Sequence, residues 1–380
     1  MVGKVVDLFC GAGGLSTGFA HAGFDVLLGQ DWDESASKTF RASHINAKFL
    51  GGSIEQVDSK DILEMVGLKQ GQLDILVGGP PCQGFSINNH KRASSDPRTQ
   101  LFKHYLRILD GLQPKWLVME NVTGMLSLDN GRFVNEAISG MQALGYSVEC
   151  KVLKAEEFGI PQERRRLVFI GNRIALPVSF PEVSHGKGKL PLTTVWDAIS
   201  DLPILANGQT TLGEAYRCIP RNDYQRMLRI NSLVALNHRP PKLSALNMKR
   251  LEHIPQGGSW RDIPTSLLPE GMKKAKRSDH TKRYGRPRKS DLACTILTKC
   301  DIHWGAYIHP VQNRALTVRE AARLQSFPDS FEFHGSMTEQ FKQVGNAVPP
   351  LLARCIAEHI IEIERVAALN SRKGGYSEAA

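Results

Sequence analysis

The chain has 380 residues, 41% of them hydrophobic and 23% charged, a composition that excludes intrinsic disorder as the default and leaves room for two domains with a large core. No segment approaches the roughly 18 unbroken apolar residues of a membrane span, so the sequence reads as that of an intracellular, cytoplasmic protein. The formal charge of +10 is unevenly spread: between Arg217 and Lys289 there are 18 lysines and arginines against five acids, an excess of 13, and the remainder therefore carries −3.

In chain order, short apolar runs alternate with helix-period stretches: KVVDLF, a glycine turn and LSTGFAHAG, DVLLGQD, LDILVGG, LFKHYLRILDGL, KWLVMENV, RFVNEAISGMQALG, YSVECKVL and RRRLVFIGN. That rhythm is the signature of βαβ units and predicts an α/β fold over 1–186, a doubly wound, mostly parallel sheet covered on both faces. From Ser184 the texture becomes basic and proline-rich, which predicts a second, smaller domain over 187–311, followed by a hinge region at 312–334. Amphipathic pattern returns in LTVREAARLQSF, and the segment AVPPLLARCIAEHIIEIERVAAL predicts a C-terminal helix that packs back on the N-terminal sheet, so that 312–380 rejoins the first domain. The seven cysteines are odd in number and form no C-x-x-C pair, so neither a disulfide framework nor a metal site is expected.

DLFCGAGGLS follows a strand and opens a helix, so its glycines permit a tight turn and close approach of a ligand to backbone N–H groups. At the end of the second strand, LLGQDWD supplies Asp31, placed to take ribose hydroxyls, and Trp32, an aromatic able to cover an adenine face. Singly, these could be a helix cap and a core position; together with the turn they predict a nucleoside cofactor.

Three further features fall at strand ends in the same half, the edge where open parallel sheets place ligands. Cys82 stands in GGPPCQGFS just past an apolar run, in backbone that continues neither strand nor helix. Glu120 follows KWLVM, and Gln162, Arg164 and Arg166 open QERRRLVFIG. A thiol, an acid and an arginine solve one specific problem, the methylation of carbon 5 of a pyrimidine. A thiolate adding at carbon 6 breaks the aromaticity, an acid on ring N3 absorbs the developing charge, and an arginine on O2 orients the base.

DLFCGAGGLS, GGPPCQGFS, MENV, QERRR, RALTVREAARLQSFP and QVGNAVPP together resemble the ordered blocks of the DNA (cytosine-5)-methyltransferase family, over essentially the whole chain. The resemblance implies S-adenosylmethionine as methyl donor, S-adenosylhomocysteine as product, and a target cytosine rotated out of double-stranded DNA. It implies Cys82 as nucleophile, Glu120 on N3, Arg166 on O2, Arg164 supporting the extruded base, and Gln162 holding the loop at the DNA. Around the cofactor it implies Phe9, Gly11, Gly13, Leu15, Asp31, Trp32, Ile54, Pro80 and Leu101, with Asn346 and Ala347 returning from the C-terminal block. Where the family usually has an acid after the third strand, this chain has Ser53, which implies a weaker or differently arranged adenine contact. The polar stretch after Cys82, with Ser86 and Arg98, is similar to the family's closing loop, and the basic region lies where the family carries its target-recognition domain. DHTKRYGRPR is its densest part, so Lys282, Arg283, Arg286 and Arg288 are expected on DNA.

The same fold serves RNA cytosine-5-methyltransferases, and a fold that had lost its reaction would serve a DNA-binding regulator. The long basic insertion favours DNA over RNA, and the intact Cys82, Glu120 and Arg166 favour an enzyme. The expectation is a monomer protecting host DNA in a restriction-modification system, with any cognate endonuclease acting separately.

Overall fold

The computed structural model describes residues 2–81, 101–210, 213–276 and 278–374. The chain divides into two compact units, the first comprising 1–154, 165–183 and 348–380 and the second 155–164 and 184–347. This division departs from the boundaries expected from sequence: 312–347, read there as hinge and returning catalytic segment, packs within the basic unit. The excursion 155–164, inside the run read as one α/β domain, does so too.

Unit 1 alternates strand and helix as the periodicity predicts: β1 (Lys4–Leu8), α1 (Gly14–His21), β2 (Asp25–Asp31), α2 (Glu34–Ser43), β3 (Lys48–Gly51), α3 (Ser59–Val66), β4 (Ile75–Gly78), α4 (Leu101–Leu112), β5 (Trp116–Val122), α5 (Arg132–Ala143), β6 (Ser147–Lys154) and β7 (Arg165–Asn172). The seven strands form one sheet in the order β3-β2-β1-β4-β5-β7-β6. The sheet is parallel from β3 through β5, whereas β7 runs antiparallel to both β5 and β6. Strands buried on both faces read as continuous apolar runs, as ILV does in β4. One face carries the main apolar cluster, in which Leu76, Leu117 and Phe169 of the sheet meet Ile62, Tyr105, Phe133 and Met141 of the helices.

Unit 2 contains α6 (Val195–Ile199), a short hairpin of β8 (Glu214–Ala215) and β9 (Val234–Ala235) enclosing α7 (Asp223–Leu228), then α8 (Ala245–Glu252), α9 (Glu270–Lys273), α10 (Val318–Leu324) and α11 (Met337–Asn346). Its helices are short and its own apolar cluster is small, built on Leu251, Trp260, Tyr284, Ile302 and Ile308. Polar interactions take up much of the work. The sequence pattern reads α10 as amphipathic, yet all seven of its residues are buried. Arg323 pairs there with Asp201 and Asp329, and Arg314 reaches Glu320 at 2.6 Å.

The chain returns to unit 1 as α12 (Pro350–Gly374), which packs on α1. The two helices approach closely: a Cβ on Gly18 would stand 2.4 Å from the Ala353 Cβ and from the Pro350 carbonyl oxygen, so only glycine fits. The indole N–H of Trp116, on β5, donates to Glu364 at 2.9 Å, which ties this helix to the sheet as its pattern predicts. No helix among the described residues is long and apolar enough to cross a membrane.

Candidate active site

The site grows from the carboxyl ends of β1, β2, β4 and β5. Leaving β1, the chain takes positive φ at Phe9 (56°), Gly11 (52°) and Gly13 (95°) before α1 begins. A Cβ at Gly13 would lie 2.6 Å from the His44 ring, so this turn is both conformationally and sterically reserved for glycine. Cys10 N–H donates to the Gln30 carbonyl at 2.9 Å, fastening the turn to the end of β2. Asp31 closes it: one carboxylate oxygen accepts from Gly11 N–H at 2.8 Å and the other from Asp33 N–H at 2.9 Å. Burial raises the Asp31 carboxyl above its ordinary value, partly offset by those backbone donors. Trp32, next in the chain, is 68% exposed, which is what a platform for a planar ring requires and a core tryptophan would not show.

Beneath the turn, Asp7 is fully buried and accepts from Ser16 N–H and its hydroxyl through one oxygen, at 3.2 and 2.6 Å. Its other oxygen has no partner among the described residues, and burial pushes the carboxyl up to about 7. An orphaned acceptor under an open glycine turn, an acid at the end of β2 and an exposed indole fit a nucleoside carrying a cationic tail. Leu15 is buried in α1, Pro80 is buried, Leu101 is half-buried, and Ile54 belongs to the main apolar cluster. Arg107 of α4 grips the Ile54 and Val57 carbonyls at 2.8 Å each, fixing the segment after β3. There Ser53 accepts from Glu55 N–H at 3.4 Å as the cap of a helical turn.

The second half of the site is an ion pair. Because β7 is antiparallel to β5, its start lies at the same edge as the end of β5, with Val122 opposite Arg166 and Glu120 opposite Val168. Glu120 and Arg166 are thereby diagonal neighbours on one face. Arg166 Nε meets Glu120 Oε1 at 2.5 Å, and both side chains are nearly buried, at 13% and 12% exposure. A Cβ on Gly79 would be 3.2 Å from Glu120 Oε2, so the carboxylate borders the backbone three residues before Cys82. Asn121 reaches the Pro80 carbonyl at 3.4 Å. Cys82, Ser86 and Arg98 lie outside the described residues.

Several expected contacts are placed elsewhere, within unit 2. Arg164 is fully buried and donates to the carbonyls of Ile296, Gly345 and Ala347, at 3.3, 3.0 and 2.8 Å. Its guanidinium is thus engaged with backbone rather than offered to a base. Gln162 donates to the Leu324 carbonyl and the Gln325 amide, both at 2.9 Å, and accepts from Ile296 N–H at 3.0 Å, so it fastens its loop from inside and is not on a DNA surface. Asn346 is exposed at the end of α11, followed by half-buried Ala347.

Of the four basic residues expected on DNA, Arg286 is corrected outright. It is buried, and its guanidinium donates to the carbonyls of Leu251, Ile254, His309 and Gln312 and to the Asn313 side chain, leaving it no free edge. Lys282 and Arg288 are exposed, and Arg283 lies over the Trp304 ring. Among the described residues no group of three or more His, Cys, Asp or Glu side chains converges as a metal site would need.

A mostly parallel sheet with one reversed strand, a glycine turn closed by an acid, and an acid–arginine pair at the same edge define a Rossmann-like methyltransferase. The chain belongs to the C-5 cytosine-specific DNA methylase family, whose model matches residues 3–362. It is 38% identical to the type II methyltransferase M1.HphI of Haemophilus parahaemolyticus, over 94% of this chain and 86% of that one. It is 34% identical to M.AgeI of Thalassovita gelatinovora, over 94% and 99%. Among solved structures, a prophage-encoded DNA modification methyltransferase from E. coli superposes with a TM-score of 0.76 at 26% identity, covering 95% of this chain and 99% of that one. The Dnmt2 methyltransferase of S. pombe, at 16% identity and a TM-score of 0.60, shares the fold, covering 96% and 99%.

Proposed function

We propose that this cytosine methylase acts on a cytosine turned out of duplex DNA, by covalent addition of Cys82 to carbon 6. The observation that carries the reading is the Glu120–Arg166 pair, 2.5 Å apart and nearly buried, with the carboxylate against the Gly79 backbone that leads to Cys82. Glu120, once it has taken up a proton, donates it or a hydrogen bond to ring N3, and Arg166 holds O2, so the electron pair displaced when the thiolate adds settles where both groups stabilise it. The ion pair fixes each partner's orientation before the base arrives, which lowers the reorganisation needed during reaction. S-adenosylmethionine, when bound, supplies the electrophilic methyl group.

For that molecule, Asp31 takes the ribose hydroxyls, Trp32 covers the adenine, and the turn from Phe9 to Gly13 with Leu15 receives the methionine end. Ile54, Pro80 and Leu101 form the apolar wall. Transfer of the carbon-5 proton to a solvent water, with its bonding pair forming the 5,6 double bond and expelling the Cys82 thiolate, then restores the aromatic ring. The relatives named as type II methyltransferases support a role in protecting DNA at one recognition sequence.

The test is duplex DNA carrying 5-fluorocytosine at the target site, because fluorine cannot leave as a proton. A denaturation-resistant adduct is expected with the full chain and S-adenosylmethionine, and none with Cys82→Ala. An adduct that survives this substitution removes Cys82 from its role. Methyl transfer to RNA and none to duplex DNA would overturn the substrate assignment.

A further inference from the structure

Unit 2 holds an aromatic ring that its core does not use. Trp304 is 53% exposed, yet it stands on hydrogen-bonded backbone. Tyr284 N–H donates to the Ile302 carbonyl at 2.7 Å, Gly285 N–H to that of Gly305 at 3.3 Å, and Ile308 N–H to that of Gly285 at 3.1 Å. Glycine is required where these segments meet, since a Cβ on Gly285 would lie 2.7 Å from Ala306. The turn is closed from within: Asp301 accepts His303 N–H through its side chain at 2.8 Å and Trp304 N–H through its carbonyl at 2.9 Å. Tyr284, Ile302 and Ile308 are core residues, so the frame below the indole is anchored.

On this frame Arg283 lies with its guanidinium carbon 4.9 Å from the indole centroid. Its backbone is held by His280 and Trp260, at 2.9 and 3.0 Å, while no hydrogen bond of its guanidinium is found among the described residues, so the ring positions the group and leaves N–H donors available. Lys282 beside it is exposed and reaches Glu163 at 3.8 Å, a contact between two exposed groups that costs little to break. Phosphate binding alone needs only mobile cations, which the basic segment supplies in excess. An exposed indole with a guanidinium placed over its ring offers an apolar surface and a directional donor pair, which match base edges rather than phosphates.

Resting on the reading of the chain as a duplex-DNA methylase, we infer that Trp304 and Arg283 form a sequence-discriminating contact: the guanidinium reads a guanine edge in the major groove, and the indole packs on the adjoining pyrimidine.

Bisulfite sequencing of a duplex library methylated by the full chain, by Trp304→Ala, Arg283→Ala and Arg283→Lys, and by Trp304→Phe tests this. The two alanine variants are expected to relax the preference at the same one or two positions and to lose about tenfold or more in kcat/KM at the wild-type site. Arg283→Lys should behave as Arg283→Ala, because lysine neither stacks nor donates in pairs, and Trp304→Phe should keep the preference. The inference is overturned if the preference is unchanged, or if activity falls equally on all sequences with a smaller salt dependence, the mark of a phosphate contact. A wild-type chain that methylates no duplex DNA defeats the underlying reading instead.

Discussion

Replacing Arg323 by methionine isolates the charge network that holds unit 2 together. The guanidinium is fully buried and donates to Asp329 at 2.9 and 2.6 Å, to the Ala198 carbonyl at 2.8 Å and to the Asp201 carboxylate. Methionine keeps most of the side-chain volume, so the cost comes from two buried carboxylates losing their main counter-ion. Asp201 keeps Arg229 at 3.2 Å, and Asp329 keeps the Tyr216 hydroxyl at 2.8 Å and the distant Arg319 at 3.7 Å. Breaking a buried pair on one side costs about 3–5 kcal/mol, and the remaining contacts place the expectation at the lower end, about 3 kcal/mol at pH 7.5.

The pH dependence has a definite sign. Burial alone would raise the Asp329 carboxyl, and the Arg323 guanidinium, helped by Arg319 and the Tyr216 hydroxyl, more than offsets this and holds it below the ordinary carboxylate value. A depressed carboxyl stabilises the native state above its unfolded value, near 4, and that contribution is lost as pH falls through the folded one. In the variant burial acts unopposed by Arg323, and protonation in mild acid relieves it. The difference between wild type and variant must therefore shrink from pH 7.5 to pH 5. Urea denaturation at the two values measures it; a difference below about 1 kcal/mol at pH 7.5, or one that grows in acid, refutes the network as a counter-ion device.

Asp31→Asn removes the charge that faces Gly11 N–H, and isothermal titration should show S-adenosylmethionine binding about 10- to 100-fold weaker; a change within threefold would remove Asp31 from the ribose. Gly13→Ala forces a Cβ to 2.6 Å from the His44 ring at a φ of 95°, so stability should fall by more than about 1 kcal/mol in thermal unfolding, and an unchanged Tm would show that the turn relaxes freely. Gly79→Ala sets a methyl group 3.2 Å from Glu120 Oε2, and displacing the carboxylate by a few tenths of an ångström should lower kcat about tenfold with the KM for S-adenosylmethionine unchanged. An equal loss in both parameters would place the damage in the cofactor half.

The strands and helices of unit 1 were legible because parallel strands must be apolar throughout and their helices amphipathic, and these two periods do not resemble each other. The positions of Asp31 and Glu120 at the carboxyl edge of the sheet were legible for the same reason, since each closes or follows an apolar run. Unit 2 hides its logic. Arg164, Arg286, Arg319 and Arg323 look like surface charge in the sequence, and each is buried on partners from distant segments, such as Asp201 for Arg323. Composition gives the number of cations and says nothing of which face they take. Trp304 was missed because one tryptophan in a polar stretch carries no period, although Asp301 two residues before His303 is the signal of a closed turn that could have drawn attention to it.

The reversed strand is what brings the acid and the arginine to one edge of the sheet. Had β7 run parallel to β5, the opening arginines of RRRLVFIGN would stand at the amino edge, a strand length from Glu120. Running antiparallel, it sets Arg166 opposite Val122, so the 2.5 Å pair follows from strand register alone. The geometry also separates two arginines that the sequence writes two residues apart. Arg166 sits on the sheet in contact with the acid, while Arg164 precedes the strand and is consumed by carbonyls of unit 2. Of the two, Arg166 is the one in contact with Glu120 and able to share a base with it, and Arg164→Met should act through the stability of unit 2, with the Glu120-dependent chemistry retained in whatever fraction remains folded.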